Sequence, residues 1–311
     1  SRGRSSTSCA RRRARASSIA TASRALDDGL CNEGTAMMAL RSPRADLVAL
    51  GLVVVLGGAF ALFFALPFAG LLARGAADGG VRDLLAAPEV YRALLLSLST
   101  ATLATLLALA FGTPVALWLA RTDVRGRSII EALVDLPIVL PPTVAGVALL
   151  TAFGARGLIG EPLAEATGLR LTFTTAAVVM AQVLVAAPFY VRAARSGFAA
   201  VDPQLERVAY TLGASRVETF VRITLPQARG ALLAGVVLCW ARALGELGAT
   251  LIFAGSLEGR TRTMPLAILD AFERTSLGLA GAVSMSLILL AVALVVLVLF
   301  RLVTPGEVAR R

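Results

Sequence analysis

Residues 202–226 read DPQLERVAYTLGASRVETFVRITLP. Asp202 can N-cap a helix whose first position is Pro203, where a missing N–H is harmless. Leu205, Val208, Ala209 and Leu212 then recur at i, i+3, i+4 and i+7, which is one apolar helix face. Gly213 suits the left-handed conformation that ends such a helix. Ser215 and Glu218 have the spacing of a capping box for a second helix. Its apolar face is Val217, Phe220 and Val221, and Pro226 is expected to stop it. The stretch therefore predicts a bent helix pair carrying an apolar stripe with a basic rim of Arg207, Arg216 and Arg222. That stripe needs cover from a partner, from the chain's own helices or from a bilayer surface.

On both sides of this pair the chain is apolar. Runs at 47–72, 93–120, 129–153, 173–191, 230–255 and 279–300 are each long enough to cross a ~30 Å hydrocarbon core at ~1.5 Å per residue. The 311 residues are 57% hydrophobic and 16% charged, with a mean hydropathy of +0.78. A soluble domain is about 25% charged, so this chain has too little polar residue to cover a globular surface. The reading is an all-α protein of six spans. With the N-terminus inside, the inner segments 121–128, 192–229 and 301–311 hold 12 Arg against 5 acids, while the outer loops hold 8 against 8. That bias favours both termini inside, and it puts the helix pair on the cytoplasmic face. The net charge of +10 is read as orienting a membrane protein rather than as a nucleic-acid surface. No internal repeat is visible, so an inverted-repeat secondary transporter is not supported.

Two absences exclude chemistry. The chain has no His, so no His base, His metal ligand or Ser-His-Asp triad. All 30 of its basic residues are Arg, and a chain without Lys carries neither a Walker A loop nor a Schiff base. Any ATP this system uses is hydrolysed by another chain. A membrane-embedded enzyme would need clustered ligands, and Glu131, Asp135 and Glu246 are too scattered for a two-metal site. Cys9, Cys31 and Cys239 make no disulfide framework and are expected to be free thiols.

Residues 206–226 carry a resemblance. Glu206-Arg207-Val208-Ala209-Tyr210-Thr211-Leu212-Gly213, nine residues, then Ile223-Thr224-Leu225-Pro226 resembles the EAA loop of type I, binding-protein-dependent ABC importer permeases. That family's pattern is Glu-Ala-Ala, three residues, Gly, nine residues, Ile-x-Leu-Pro. Ala209, Gly213, Ile223, Leu225 and Pro226 fall on it. Arg207 stands in place of the family's Glu, Val208 in place of the first Ala, and Glu206 comes one position early. Residues 135–146 (DLPIVLPPTVAG), 242–250 (RALGELGAT) and 262–266 (RTMPL) are similar to molybdate permease subunits, with related forms in sulfate permeases.

The resemblance covers roughly 93–300. It implies a homodimer of permeases in the inner membrane, two partner ATPase subunits that use ATP and Mg, an extracytoplasmic oxyanion-binding protein, and no cofactor bound by this chain. It implies transport of an oxyanion by alternating access. Molybdate is expected, with sulfate, thiosulfate and tungstate as alternatives. It places Leu205, Glu206, Arg207, Ala209, Gly213, Phe220, Ile223, Leu225 and Pro226 at the ATPase-docking surface. A structural or sensory membrane subunit would not need that spacing.

Inside the spans, Arg242 and Glu246 are four apart and share a helix face. Unpaired charge there costs about 2.5–3.5 kcal/mol, so the pair is read either as a structural ion pair or as the border of a translocation path. Pro137, Pro141 and Pro142 are expected to break the ladder of the third span, as a packing kink or as a gate together with Asp135 and Thr143. Ser97, Ser99, Thr100, Thr102 and Thr105 are expected to serve helix packing. Residues 1–46, with nine Arg and no apolar run, are expected to be disordered. Met37 or Met38 then marks the expected start, with 1–36 an upstream extension; a transit peptide or an appended or functional tail is the alternative.

Overall fold

The structure, a computed structural model, describes residues 43–78, 87–273 and 278–303. It is all helical. In chain order the helices are α1 (Pro43–Asp78), α2 (Pro88–Arg121), α3 (Arg127–Val139), α4 (Pro142–Phe153), α5 (Gly160–Thr167), α6 (Thr175–Ala199), α7 (Pro203–Thr211), α8 (Arg216–Thr219), a π-turn (Phe220–Thr224), α9 (Leu225–Leu244), α10 (Gly248–Ala254), α11 (Met264–Glu273) and α12 (Gly278–Val303). Five helical segments are long and apolar enough to cross a membrane, and a sixth span results if the bent pair α3 and α4 counts as one. The tail expected over 1–46 lies outside the described residues up to 42, and α1 takes in its last four. Cys9 and Cys31 also lie outside; Cys239 is free and buried.

The chain divides into two compact units, 1–70 and 71–311. The described part of the first is residues 43–70 of α1, of which 50–70 are exposed along their whole length. In the second unit, α2, α6 and α9 form the core, and small residues let them approach. Ala93, Ser97, Thr100, Ala101, Ala104, Ala108, Gly112 and Ala116 form the buried stripe of α2. A Cβ on Gly112 would sit 3.0 Å from Val191 Cγ2, and one on Gly235 would sit 2.9 Å from Ala193 Cβ. With little hydrophobic force between helices in lipid, such close packing and interhelical hydrogen bonds hold a bundle. Thr113 and Tyr190 share a 2.6 Å hydrogen bond, and Trp240 Nε1 donates to Thr102 Oγ1 at 3.2 Å. Ser97 Oγ accepts from Met264 N–H, while Ser99, Thr100 and Thr105 bond back to their own helix.

In the spans and the loop after them, three features differ from the sequence reading. Pro137 does not break the third span; it sits inside α3, and the 116° bend falls at Leu140 and Pro141. Leu140 is extended (φ −69°, ψ 136°), as a residue before proline prefers, and Pro142 starts α4. The fifth apolar run is not one helix: α9 stops at Leu244, and α10 begins after Gly245, Glu246 and Leu247. Finally, the segment after α10, expected to be an outer loop, contains α11, an apolar helix packed against α12 and α2.

Candidate functional site

The helix pair forms as its caps dictate. Asp202 accepts from Gln204 N–H at 2.8 Å, and Ser215 Oγ accepts from Glu218 N–H at 3.2 Å. Gly213 has φ +91°. The reciprocal arm of the capping box is replaced by an ion pair, Arg222 Nη1 to Glu218 Oε1, at 2.8 Å.

Pro226 does not stop the second helix. Its ring would collide with the carbonyl four residues back in a regular α-helix and its nitrogen has no proton to donate. The helix instead widens through the π-turn, where Leu225 N–H donates to Phe220 O, and runs on into α9. The second helix of the pair and the fifth apolar helix are thus one continuous rod, Arg216–Leu244. Single π-turns of this kind recur at functional positions.

Between the two helices lies an open groove of about 500 Å³. Of the expected docking residues, Leu205, Ala209, Ile223 and Pro226 line it, joined by Val208, Leu212, Ala214, Thr219 and Gln227. Glu218 and Arg222 also line it, and the apolar side chains at and beside it are uncovered, with Leu212 82% and Val217 73% exposed. Gly213 ends α7 at its edge, and Arg207 is exposed.

The remaining three point elsewhere. Phe220 packs on the bundle with its ring 6.1 Å from that of Phe198, and Leu225 packs on the same core. Glu206 turns inward: its Oε1 accepts from Arg121 Nη2 at 2.6 Å and from Thr224 Oγ1 at 2.7 Å. Arg121 and Thr224 escaped the sequence reading because their partner is far away in the chain.

The pathway candidates fall into two groups. Pro142 and Thr143, which follow Pro141 into α4, lie beside Gly248 at the start of α10, and Glu246 ties that start to Arg242. A Cβ on Gly248 would lie 2.9 Å from Pro142 Cβ, and one on Gly146 would lie 2.9 Å from Ala249 Cα. Glu246 is 1% exposed, and it spans the break in the fifth apolar run. Its Oε2 accepts from Arg242 Nη1 at 2.8 Å, and its Oε1 accepts from Ala249 N–H at 2.8 Å. It therefore ends one helix with an ion pair and caps the next, which a helix face alone did not predict. Asp135 and Pro137 lie apart from this group, on α3, where Asp135 faces Arg192 at 3.7 Å and Glu131 meets Arg195 at 3.1 Å. Two acids four apart on α3 thus meet two Arg three apart on α6. Among the described residues no three His, Cys, Asp or Glu are placed to hold a metal ion.

Comparison with known proteins fits this architecture. Residues 112–307 match the family model described as binding-protein-dependent transport system inner membrane component. The chain is 42% identical over 248 residues to a Haloferax volcanii protein named "Probable molybdenum ABC transporter permease protein", covering 80% of this chain and 88% of that one. It is 39% identical over 216 residues to the molybdenum transport system permease protein ModB of Escherichia coli, covering 70% and 93%. In fold it is similar to a chain of a bacterial alginate ABC transporter, crystallised in complex with an alginate-bound periplasmic protein. The TM-score is 0.68 at 17% identity, with 85% and 97% covered. The match across more than half the chain, and the helices that accompany it, make this protein a member of the binding-protein-dependent transport system inner membrane component family: a multi-pass permease subunit of an ABC importer, and not itself an enzyme.

Proposed function

We propose that this permease imports molybdate, driven by ATP that a partner subunit hydrolyses. The observation that carries the substrate is the extended identity to permeases named for molybdenum transport in an archaeon and in bacteria, which reaches 80% of the chain. The partner ATPase docks its own apolar surface in the groove between α7 and the rod Arg216–Leu244, in two copies on a permease homodimer. An extracytoplasmic binding protein delivers the anion on the opposite face. The absence of Lys supports a division of labour in which the nucleotide and its Mg sit on the partner. Both termini are placed on the cytoplasmic side, the orientation that the Arg bias of the loops favours.

Mechanistically, ATP-driven closure of the partner pair displaces the groove, and the spans rock between inward-open and outward-open states. The junction of α4, α10 and the Arg242–Glu246 pair borders the path. There the cation is already compensated, so a dianion would meet a weak and transient site, as passage demands. The bends at Leu140–Pro141 and at Gly245–Leu247 supply the hinges. The test is uptake of radiolabelled molybdate by vesicles holding the permease, its ATPase and its binding protein. Uptake that is ATP-dependent and unaffected by excess sulfate is expected. Uptake of sulfate or thiosulfate in preference would move the substrate assignment within the family, and absence of any ATP-dependent uptake would refute it.

A further inference from the structure

Helix α7 has little to hold it in place. Ala209 is its one buried residue, and its apolar face looks outward. Polar ties must therefore fix its position, and one carboxylate oxygen carries two of them. Glu206 Oε1 takes both the Arg121 guanidinium and the Thr224 hydroxyl. Arg121 is the last residue of α2, and its Nη1 also donates to Val201 O at 3.2 Å, in the turn between α6 and α7. Thr224 is the last residue of the π-turn and is buried. The Arg121 and Glu206 side chains are 22% and 16% exposed, so water and salt screen them less than a surface pair. Beside them lies a cleft of about 390 Å³, lined also by Trp118, Tyr210, Arg216 and Phe220. That cleft is room into which α7 could tilt if the tie were cut.

We infer that Glu206 is a positioning residue, which with Arg121 and Thr224 latches α7 to the ends of the second and fifth spans. The latch makes the docking helix move with α2 and with the rod through α9. Displacement of the docked ATPase then reaches two spans at once instead of being absorbed in the loop. Coupling of this kind needs a rigid connection between the two sites. The inference rests on the reading of the groove as the ATPase-docking surface.

The test uses the whole transporter, reconstituted with ATPase and binding protein, and reads three quantities: ATPase retained, ATP hydrolysed and molybdate taken up. Arg121→Gln is expected to keep the ATPase but to lower uptake per ATP hydrolysed about tenfold. Thr224→Val is expected to lower that ratio in the same direction by a smaller factor. Arg121→Glu alone should be as poor as Arg121→Gln, and Arg121→Glu combined with Glu206→Arg should recover most of the ratio. A purely structural role would lower retention, hydrolysis and uptake together and leave the ratio unmoved, and that result overturns the inference. If Arg121→Gln does not accumulate, Thr224→Val decides by the same ratio, since it removes a hydroxyl and keeps the shape. Leu212→Asp serves as the control for docking. Loss of the ATPase there leaves the docking reading standing whatever the latch variants do, whereas retention overturns that reading and this inference with it.

Discussion

The bundle of α2, α6 and α9 and the groove beside α7 are built on opposite rules. In the bundle the informative residues are the small ones. Gly112, Gly197 and Gly235 each face a neighbouring helix so closely that an added Cβ would lie 3.0 Å or less from a side-chain carbon. At the groove and beside it the informative residues are large and apolar, and the described residues leave them uncovered: Leu205, Val208, Leu212, Val217 and Val221 are all exposed. A substitution in the first region should be felt as loss of stability, and one in the second as loss of a partner. In lipid, packing is what holds helices together. An uncovered apolar stripe on the water side contributes nothing until a partner buries it.

The largest effect is expected inside the membrane. Arg242→Ala strands the Glu246 carboxylate, 1% exposed, without its cation. The expected cost is about 3–5 kcal/mol, read as a fall in thermal midpoint of the detergent-solubilised permease. Glu246→Ala should be milder, since Arg242 is 29% exposed and can reach water. The double variant should recover only part of the loss, because Glu246 also caps α10, a contribution of about 1 kcal/mol. Strictly additive effects would show the two side chains to be independent.

Next in size is Gly235→Leu, expected to destabilise the bundle by about 2–3 kcal/mol through overpacking against Ala193 and Tyr190, in the same thermal assay. An unchanged midpoint would contradict the close approach of α9 and α6. The smallest effect is expected at the groove's solvent side. Arg207→Glu, on an exposed position of α7, should change stability by no more than about 0.5 kcal/mol and leave transport in place. A clear loss of uptake there would draw Arg207 into the docking contact.

What could be read from the sequence was local. The caps at Asp202 and Ser215 and the left-handed Gly213 depend on neighbours within a few residues, and all three have the expected geometry. Hydropathy also anticipated the long apolar helices, since it needs only length and composition. Two things required distant partners and were not legible, and a third was masked by composition. Glu206 looks like one more polar residue on an exposed helix until Arg121, 85 positions away, is brought beside it. Phe220 sits at the margin of the apolar stripe, and only the nearby ring of Phe198 decides that it turns inward. Periodicity put it on the apolar face and the resemblance put it at the docking surface, whereas packing turns its ring to the bundle. The break in the fifth run is hidden because Gly245, Leu247 and Gly248 keep the stretch apolar while Glu246 ends one helix and caps the next.

The measurement that tests the central claim most directly is capture of the partner ATPase by tagged permease from solubilised membranes, comparing wild type with Gly213→Val and Leu212→Asp. A Cβ at Gly213 would meet nothing within 4 Å, so the strain of a valine there comes from the φ of +91° rather than from a Cβ clash. The cost is about 1–2 kcal/mol, enough to reorient an α7 that buries a single residue. Leu212→Asp puts a charge on the most exposed part of the stripe and leaves the backbone alone. Both variants are expected to insert in the membrane at wild-type amounts, to lose the ATPase and to lose substrate-stimulated hydrolysis. Retention of the ATPase and of its stimulation by both variants would contradict the account, because the groove would then not be where this permease meets its source of energy.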